Sequence, residues 1–353
     1  MEEKKICEHC GKTVELSDGE YFDDEFYCSH CLKELTIVCE NCGERILRED
    51  SIDERICQTC YNEDYCRCEG CGQLMRYDDA NAYNDYSYCD DCYNNRQHER
   101  IEAYDYKPDP IFYGNGQPHY GVELEIDCGG ECDSTAKEFD EIANTHNEHL
   151  YFKHDGSLED GFEIVSHPAT LDYHLYNIPW EEIMNRAREL KYLSHTAETC
   201  GLHIHVNRAA LGDTVEEQEN TIGRIVYFFE KHWDKILRFS RRTEGQASRW
   251  ASRYGCSTEN PKESLKDAKN SCLGRYTAVN LANQFTVELR IFRGTLRYET
   301  FVATFQFVDK LCHDATELSD EQFQTMTWND FAASIKDMPE LTEYLKTRGL
   351  EAI

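Results

Sequence analysis

The sequence predicts an α+β chain in two parts: three small cysteine-bound modules, then a larger domain in which strands alternate with helices. Three observations predict it. Six C-x2-C pairs fill residues 1–93. Beyond residue 119, several stretches alternate apolar and polar residues with period two, the mark of half-buried strands. Between them lie segments whose apolar residues recur at three- and four-residue spacing, as in amphipathic helices.

The cysteine pairs fall in order: Cys7/Cys10 with Cys28/Cys31, Cys39/Cys42 with Cys57/Cys60, and Cys68/Cys71 with Cys89/Cys92. In each set 14 to 17 residues separate the two pairs. Four thiolates at that spacing close a tetrahedron around one zinc ion. Gly11, Gly43 and Gly72 follow the first pair, where a knuckle turn needs them. The chain thus carries an internal repeat three times, at about 5–35, 37–63 and 66–95. Hairpin-like text fills the spacers, as in Glu20–Tyr27 and Tyr83–Tyr88, with acidic turn residues between aromatics. The modules resemble small zinc ribbons or LIM-like and treble-clef fingers. A closed four-thiolate set leaves no open position, so the zinc is structural and the modules fold with it. Cys66, beside Cys68, is an alternative ligand, whereas His9 and His30 are not needed.

A net charge of -31 argues against nucleic acid, which calls for a basic face. The acidic spacers favour a protein partner for the fingers. Nineteen cysteines, an odd number rich in C-x2-C, point to metal sites and not disulfides. The opening text, MEEKKICEHC, lacks a secretory apolar run, and no stretch is long enough to cross a membrane. The expectation is a soluble cytoplasmic protein. Lys107-Pro108-Asp109-Pro110 and Gly114-Asn115-Gly116 mark residues 94–118 as a linker, leaving 119–353 as the second domain.

That domain begins with Tyr120–Cys128, where Val122, Leu124 and Ile126 alternate with Glu123, Glu125 and Asp127. Carboxylates at i and i+2 on one strand face sit roughly 7 Å apart. That is too close for bare charges in a cleft and suits two neighbouring cations. Asp133-Ser134 caps a helix carrying Phe139, Ile142 and Ala143. Leu150–His154 and Phe162–Val165 flank the turn Asp155-Gly156-Ser157 as a hairpin, and Glu163 lies on its second strand. A helix opens after Pro179 and runs through Trp180, Ile183, Ala187 and Leu190. In GLHIHVN, Leu202, Ile204 and Val206 face the core, and His203, His205 and Asn207 share the other face. A metal or an anionic ligand accounts for two histidines there. Thr214 and Glu217 have capping-box spacing at the head of one long helix, with Ile222, Ile225, Phe229, Trp233 and Ile236 as its core stripe. The arginine-dense text after it holds Arg238, Arg241, Arg242, Arg249 and Arg253, suited to bidentate phosphate contacts or to pairing with the surplus acids. Tyr276–Leu281 and Thr286–Phe292 read as strands. On the second, Glu288 and Arg290 share a face, and Arg293 follows. A helix from Phe301 to Leu318 packs behind.

If the strands join one sheet, Glu123, Glu125, Glu163, His203, His205, Glu288, Arg290 and Arg293 converge on one face. Oxygen ligands with one or two imidazoles suit Mg2+ or Mn2+, and arginines beside such ions suit a polyphosphate.

GVELEID, DGS followed by FEIVSHP, GLHIHVN, the Arg-Arg pair after a long helix, and AVNL with TVELRIFRGTL occur in that order over about residues 119–318. Together they resemble the amidoligases of the glutamine synthetase and glutamate–cysteine ligase superfamily of carboxylate–amine ligases. The resemblance implies a glutamine synthetase-like catalytic fold: a curved, mostly antiparallel sheet with helices on its convex side. ATP would bind at one end of a funnel and the acceptor at the other. It implies Glu125 and Glu163 as ligands of one Mg2+ (or Mn2+), and Glu123, His203 and Glu288 as ligands of the other. Arg290 would meet the transferred phosphoryl group. Arg293, Arg241 and Arg242 would be further phosphate contacts, with His205, Asp155 and Ser157 near the site. Glu159 and Asp160 are the acids on offer beside Glu163. The implied reaction joins a carboxylate to an amine, on metabolites, peptides or proteins, through an acyl phosphate. Two other readings fit the residues. One is a finger scaffold for protein interactions whose second domain binds nucleotide without turnover. The other is a metal-dependent hydrolase, since histidines among carboxylates also suit activated water.

Overall fold

Each module begins with a turn that only glycine makes without strain. Gly11, Gly43 and Gly72 take φ of 69°, 76° and 73°, in the left-handed region. Their N–H groups donate to the carbonyls of Cys7, Cys39 and Cys68 at 2.8–2.9 Å. The computed structural model describes residues 3–83, 86–96, 100–335 and 337–352. It divides into two units, Met1–Glu99 and Arg100–Ile353.

In the first unit the knuckle is followed by a hairpin and a seven-residue helix, three times over. The helices are Ser29–Leu35, Gln58–Asp64 and Asp90–Arg96. Two of them run directly into the first strand of the next module. Thr36–Val38 pairs antiparallel with Arg45–Leu47, and Tyr65–Arg67 with Leu74–Arg76. Arg48 donates to the carbonyls of Lys33 and Glu34 at the end of the first helix, a favourable place for a cation. Arg67 pairs with Asp53 at 2.8 Å. The first hairpin turns on Asp23-Asp24, with φ of 49° and 66°. Residues 84–85, the turn of the Tyr83–Tyr88 text, lie outside the described residues, as do 97–99 of the expected linker.

The second unit is built on one mixed sheet of seven strands. They are β1 (Ile101–Glu102), β2 (Tyr120–Ile126), β3 (Leu150–Lys153), β4 (Phe162–Ser166), β5 (Gly201–Asn207), β6 (Val279–Asn280) and β7 (Thr286–Arg293). Their order in the sheet is β1-β3-β4-β2-β5-β7-β6. Only β1, which pairs with β3, is parallel to its neighbour. Val122, Leu124, Ile126, Leu202, Ile204, Val206, Val287, Leu289 and Ile291 are fully buried. They form a core with the helices Asp133–Ala143, Trp180–Glu189, Val215–Lys231 and Tyr298–Glu317. Tyr120 and Phe292, for example, meet Phe305 and Phe307 of the last helix at ring distances of 5.2 and 6.1 Å. Burial on this scale is the main stabilising contribution to the unit, and it leaves the opposite sheet face to the polar residues.

The register sets what that face carries. Glu123 stands opposite His203, Gly121 opposite His205, Glu125 opposite Glu163, and His205 opposite Glu288. Leu202 pairs with Phe292 but Ile204 with Leu289. Two residues, Arg290 and Ile291, therefore oppose His203 alone, which is a β-bulge. The extra residue resets the alternation, so Arg290 and Arg293 share the polar face although they are three apart.

Some local expectations are revised. Asp133 does not cap its helix: Cys132 is the N-cap, and the Asp133 carboxylate instead accepts the N–H groups of Arg100 and Ile101, holding β1. The long helix breaks at His232, between Val215–Lys231 and Trp233–Ser240, where the imidazole packs 4.7 Å from the Phe228 ring. The strand expected over Tyr276–Leu281 shrinks to Val279–Asn280. The Thr214–Glu217 capping box is present.

Candidate metal and active site

The four sulfur atoms of each cysteine set lie within 4.8 Å of one another. Cys10 and Cys28 sulfurs are 4.0 Å apart, and Cys42–Cys57 and Cys71–Cys89 are both 3.9 Å. Zinc–sulfur bonds of 2.3 Å in a tetrahedron put the sulfurs about 3.8 Å apart, so the sets fit zinc, and disulfides do not fit. Burial pushes the Cys7, Cys39 and Cys68 thiols up. Backbone N–H groups, from Cys10 and Cys28 for Cys7 and their equivalents in the other modules, outweigh it and bring each down to about 6. Such thiols reach the metal-binding thiolate form readily. Cys66 stays out of the third set, on a strand residue paired with Met75.

On the sheet, two further groups have their ligand atoms within 4.8 Å: Glu123, His203 and Glu288, and Glu125, Glu163 and His203. His203 belongs to both. Its Nδ1 lies 3.1 Å from Glu123 and 3.7 Å from Glu288, and its Nε2 lies 3.7 Å from Glu125. Glu125, Glu163, His203 and Glu288 are each at most 5 % exposed. Buried carboxylates this close repel one another and lack water. Burial, then the charges of Glu123 and Glu125, push Glu163 well above the usual carboxylate range. Burial likewise raises Glu125, although His203 opposes it. Glu123 goes the other way: against the cost of burial, His205 and His203 hold it well below that range. Burial lowers His205, but Glu123, 3.0 Å from its Nε2, brings it up to about 9. This donor set, hard oxygens with imidazole and excess negative charge, fits divalent Mg2+ or Mn2+.

The arginines do not act as one block. Arg290 pairs with Glu288, and Asn280 donates to the other oxygen of Glu288 at 2.7 Å. Arg241 has φ of 66°, which turns it away from its neighbour. Arg241 donates to the carbonyls of Arg293 and Gly294 and to His195. Arg242 is buried and donates to the carbonyls of Ile291 and Phe292. Burial pulls Arg242 down to about 10, with Glu125 opposing. Among the described residues, Arg241, Arg290 and Arg293 each keep a buried Nε with no hydrogen-bond partner, a donor array suited to an anion.

Ser157 enters through its backbone, whose N–H donates to the Asp155 carboxylate at 2.7 Å. Glu159 and Asp160 are exposed, and their N–H groups hold the fully buried Asp127. Asp155 is the acid whose charge raises both Glu125 and Glu163. Lys153 and Asn280 also serve the site, and neither stands out as a site residue in the sequence. Lys153 is 3.9 Å from Glu163, and its alternate position in LYFK was the available signal.

A protein-family model described as "Putative amidoligase enzyme" matches residues 131–312, just over half of the chain. The match begins after β2, so Glu123 and Glu125 lie outside it. A solved structure, a bifunctional glutathione synthetase from Pasteurella multocida, is similar at 13 % identity and a TM-score of 0.37. The similarity covers 66 % of this chain and 46 % of that one. This chain thus spans less than half the length of that structure, and a likeness this low fixes neither fold nor reaction. No curated protein matches the chain. Among the described residues, no helix is long and apolar enough to cross a membrane. From the match over residues 131–312, this chain belongs to the amidoligase family.

Proposed function

We propose that the second unit is an ATP-dependent carboxylate–amine ligase with a glutamine synthetase-like catalytic fold, forming an amide or isopeptide bond through an acyl phosphate. One observation carries the reading: two carboxylate sets, buried but for the half-buried Glu123, share His203 and lie beside arginines with unpartnered donors. Glu125 and Glu163 hold one divalent ion, with Asp155 as the further acid. Glu123, His203 and Glu288 hold the other. Bound Mg2+ would supply charge neutralisation at the phosphate oxygens.

The chain's own residues do the rest. Arg290, fixed by Glu288, donates to the phosphoryl group as it leaves ATP for the substrate carboxylate. Arg293 and Arg241 donate to phosphate oxygens further along β7. Arg242 holds the backbone of β7 and sets their position. Donors fixed before the reaction stabilise the charge that grows in the transition state, and losing one costs about 3–4 kcal/mol of barrier. The amine then displaces phosphate from the acyl group.

The fingers recruit a substrate or partner protein, which their closed zinc sites and acidic spacers favour. Nineteen cysteines with none in a disulfide suit a reducing, cytoplasmic setting.

The test is ADP release from Mg2+–ATP with pooled carboxylates and amines. Release that depends on both pools and is lost in Glu288→Gln supports the ligase. Phosphate released from ATP with neither pool present would favour a hydrolase.

A further inference from the structure

Tyr104 and Arg275 belong to opposite edges of the sheet. Tyr104 follows β1, the strand at one edge, by two residues, and Arg275 precedes β6, at the other edge, by four. Six strand spacings separate those edges, about 29 Å across a flat sheet. Yet Arg275 Nη1 donates to the Tyr104 hydroxyl at 2.6 Å. Its Nη2 donates to the Tyr276 hydroxyl at 3.0 Å. The two edges are therefore joined by side chains.

The join crosses the acidic face and not the helical one. Lys153, paired with Glu163, lies 5.5 Å from the Tyr104 ring centre. Arg290, paired with Glu288, lies 5.8 Å from the Tyr276 ring centre. A continuous arch thus runs from Glu163 through Lys153, Tyr104, Arg275, Tyr276 and Arg290 to Glu288, one acid from each set. Its middle is its weakest part. Tyr104 and Tyr276 are 46 % and 39 % exposed, and Arg275 holds two phenol hydroxyls, with no carboxylate partner among the described residues.

We propose that the Tyr104–Arg275 pair is a clasp that opens to admit nucleotide to the acidic face and closes over it. This rests on the ligase reading. Closed, the clasp positions the reaction by keeping water from the activated carboxyl group. Open, it lets water replace the amine: the water oxygen bonds to the acyl carbon, the acyl–oxygen bond breaks, and carboxylate and inorganic phosphate leave without an amide.

The experiment is stopped-flow binding of a fluorescent, non-hydrolysable ATP analogue with Mg2+ to the full zinc-loaded chain. Wild type is compared with Tyr104→Phe and Arg275→Gln. A clasp predicts that association and release both accelerate by about tenfold, while Kd changes by less than about threefold. Unchanged rates in both variants overturn it. A Kd weakened by about a hundredfold at unchanged association makes Arg275 a ligand contact, and also overturns it. If wild type binds no analogue, the ligase reading fails and takes the clasp's catalytic role with it. The join itself is then judged by amide hydrogen exchange over residues 274–280. Exchange about tenfold faster in Tyr104→Phe means that the bond holds the edges together. Equal exchange means that it does not.

Discussion

His203 stands directly across the β2–β5 ladder from Glu123, with Nδ1 3.1 Å from that carboxylate and Nε2 3.7 Å from Glu125. One imidazole therefore faces both acid sets, and a change in either set is felt by the other.

Glu163 carries the least compensated charge of the four acids, with Lys153 at 3.9 Å as its cation. Glu163→Gln removes that charge and keeps the shape. Without added Mg2+, the variant should melt at or a few degrees above wild type. Millimolar Mg2+ should raise the wild-type Tm by mass action and the variant's by less, because only the set of Glu123, His203 and Glu288 is left whole. A less stable variant whose Tm rises with Mg2+ as much as that of wild type would make Glu163 a structural acid.

Gly201 has no room for a side chain. An added Cβ would collide with the His203 ring and come within 3.1 Å of the Arg242 guanidinium. Gly201→Ala should weaken Mg2+-dependent nucleotide binding by about 10–100-fold, the usual effect of misplacing a ligand's support, and cost about 1–3 kcal/mol of stability. Calorimetry and urea unfolding measure the two. Unchanged binding would show that His203 has no part in the site.

Three closed cysteine sets predict zinc near three per chain by elemental analysis. Cys57→Ser should lower that value by one and unfold the second module, since a zinc module folds on its metal. Zinc near zero in freshly purified protein contradicts the finger assignment.

His174 gives the fold a pH dependence away from the acids. It is fully buried; Nε2 faces the Tyr120 carbonyl at 2.9 Å and Nδ1 faces the Trp180 indole N–H at 3.3 Å. Burial lowers its pKa to about 4. The unfolded chain, with a pKa near 6.5, takes up the proton first. His174 therefore costs nothing above pH 6.5, and stability falls as pH drops from about 6.5 toward 4, by up to about 3 kcal/mol. His232, also lowered to about 4 by burial, adds to the slope. The urea midpoint of His174→Gln, followed from pH 7 to pH 5, should fall less steeply than that of wild type. Equal slopes would mean that His174 titrates normally.

Period-two alternation made β2, β5 and β7 readable, because a half-buried strand must separate apolar from polar residues. It therefore also named the residues of the acidic face. The bulge at Arg290-Ile291 was not readable, because register is a property of two strands. Nor was the divergence of Arg241 from Arg242, which depends on a left-handed residue that is not glycine. Glu159 and Asp160 draw notice by lying four and three positions before Glu163. The fold instead turns their backbones to Asp127 and brings Asp155 to bear on the acids. The Tyr104–Arg275 contact spans 171 positions, and no local pattern marks it.

The measurement that reaches the central claim most directly is calorimetry of a non-hydrolysable ATP analogue, with and without Mg2+, on the zinc-loaded chain and on Arg290→Ala. The account predicts binding that requires Mg2+ and weakens by at least about tenfold in the variant. No binding under either condition, or Mg2+-independent binding that Arg290→Ala leaves intact, would contradict it.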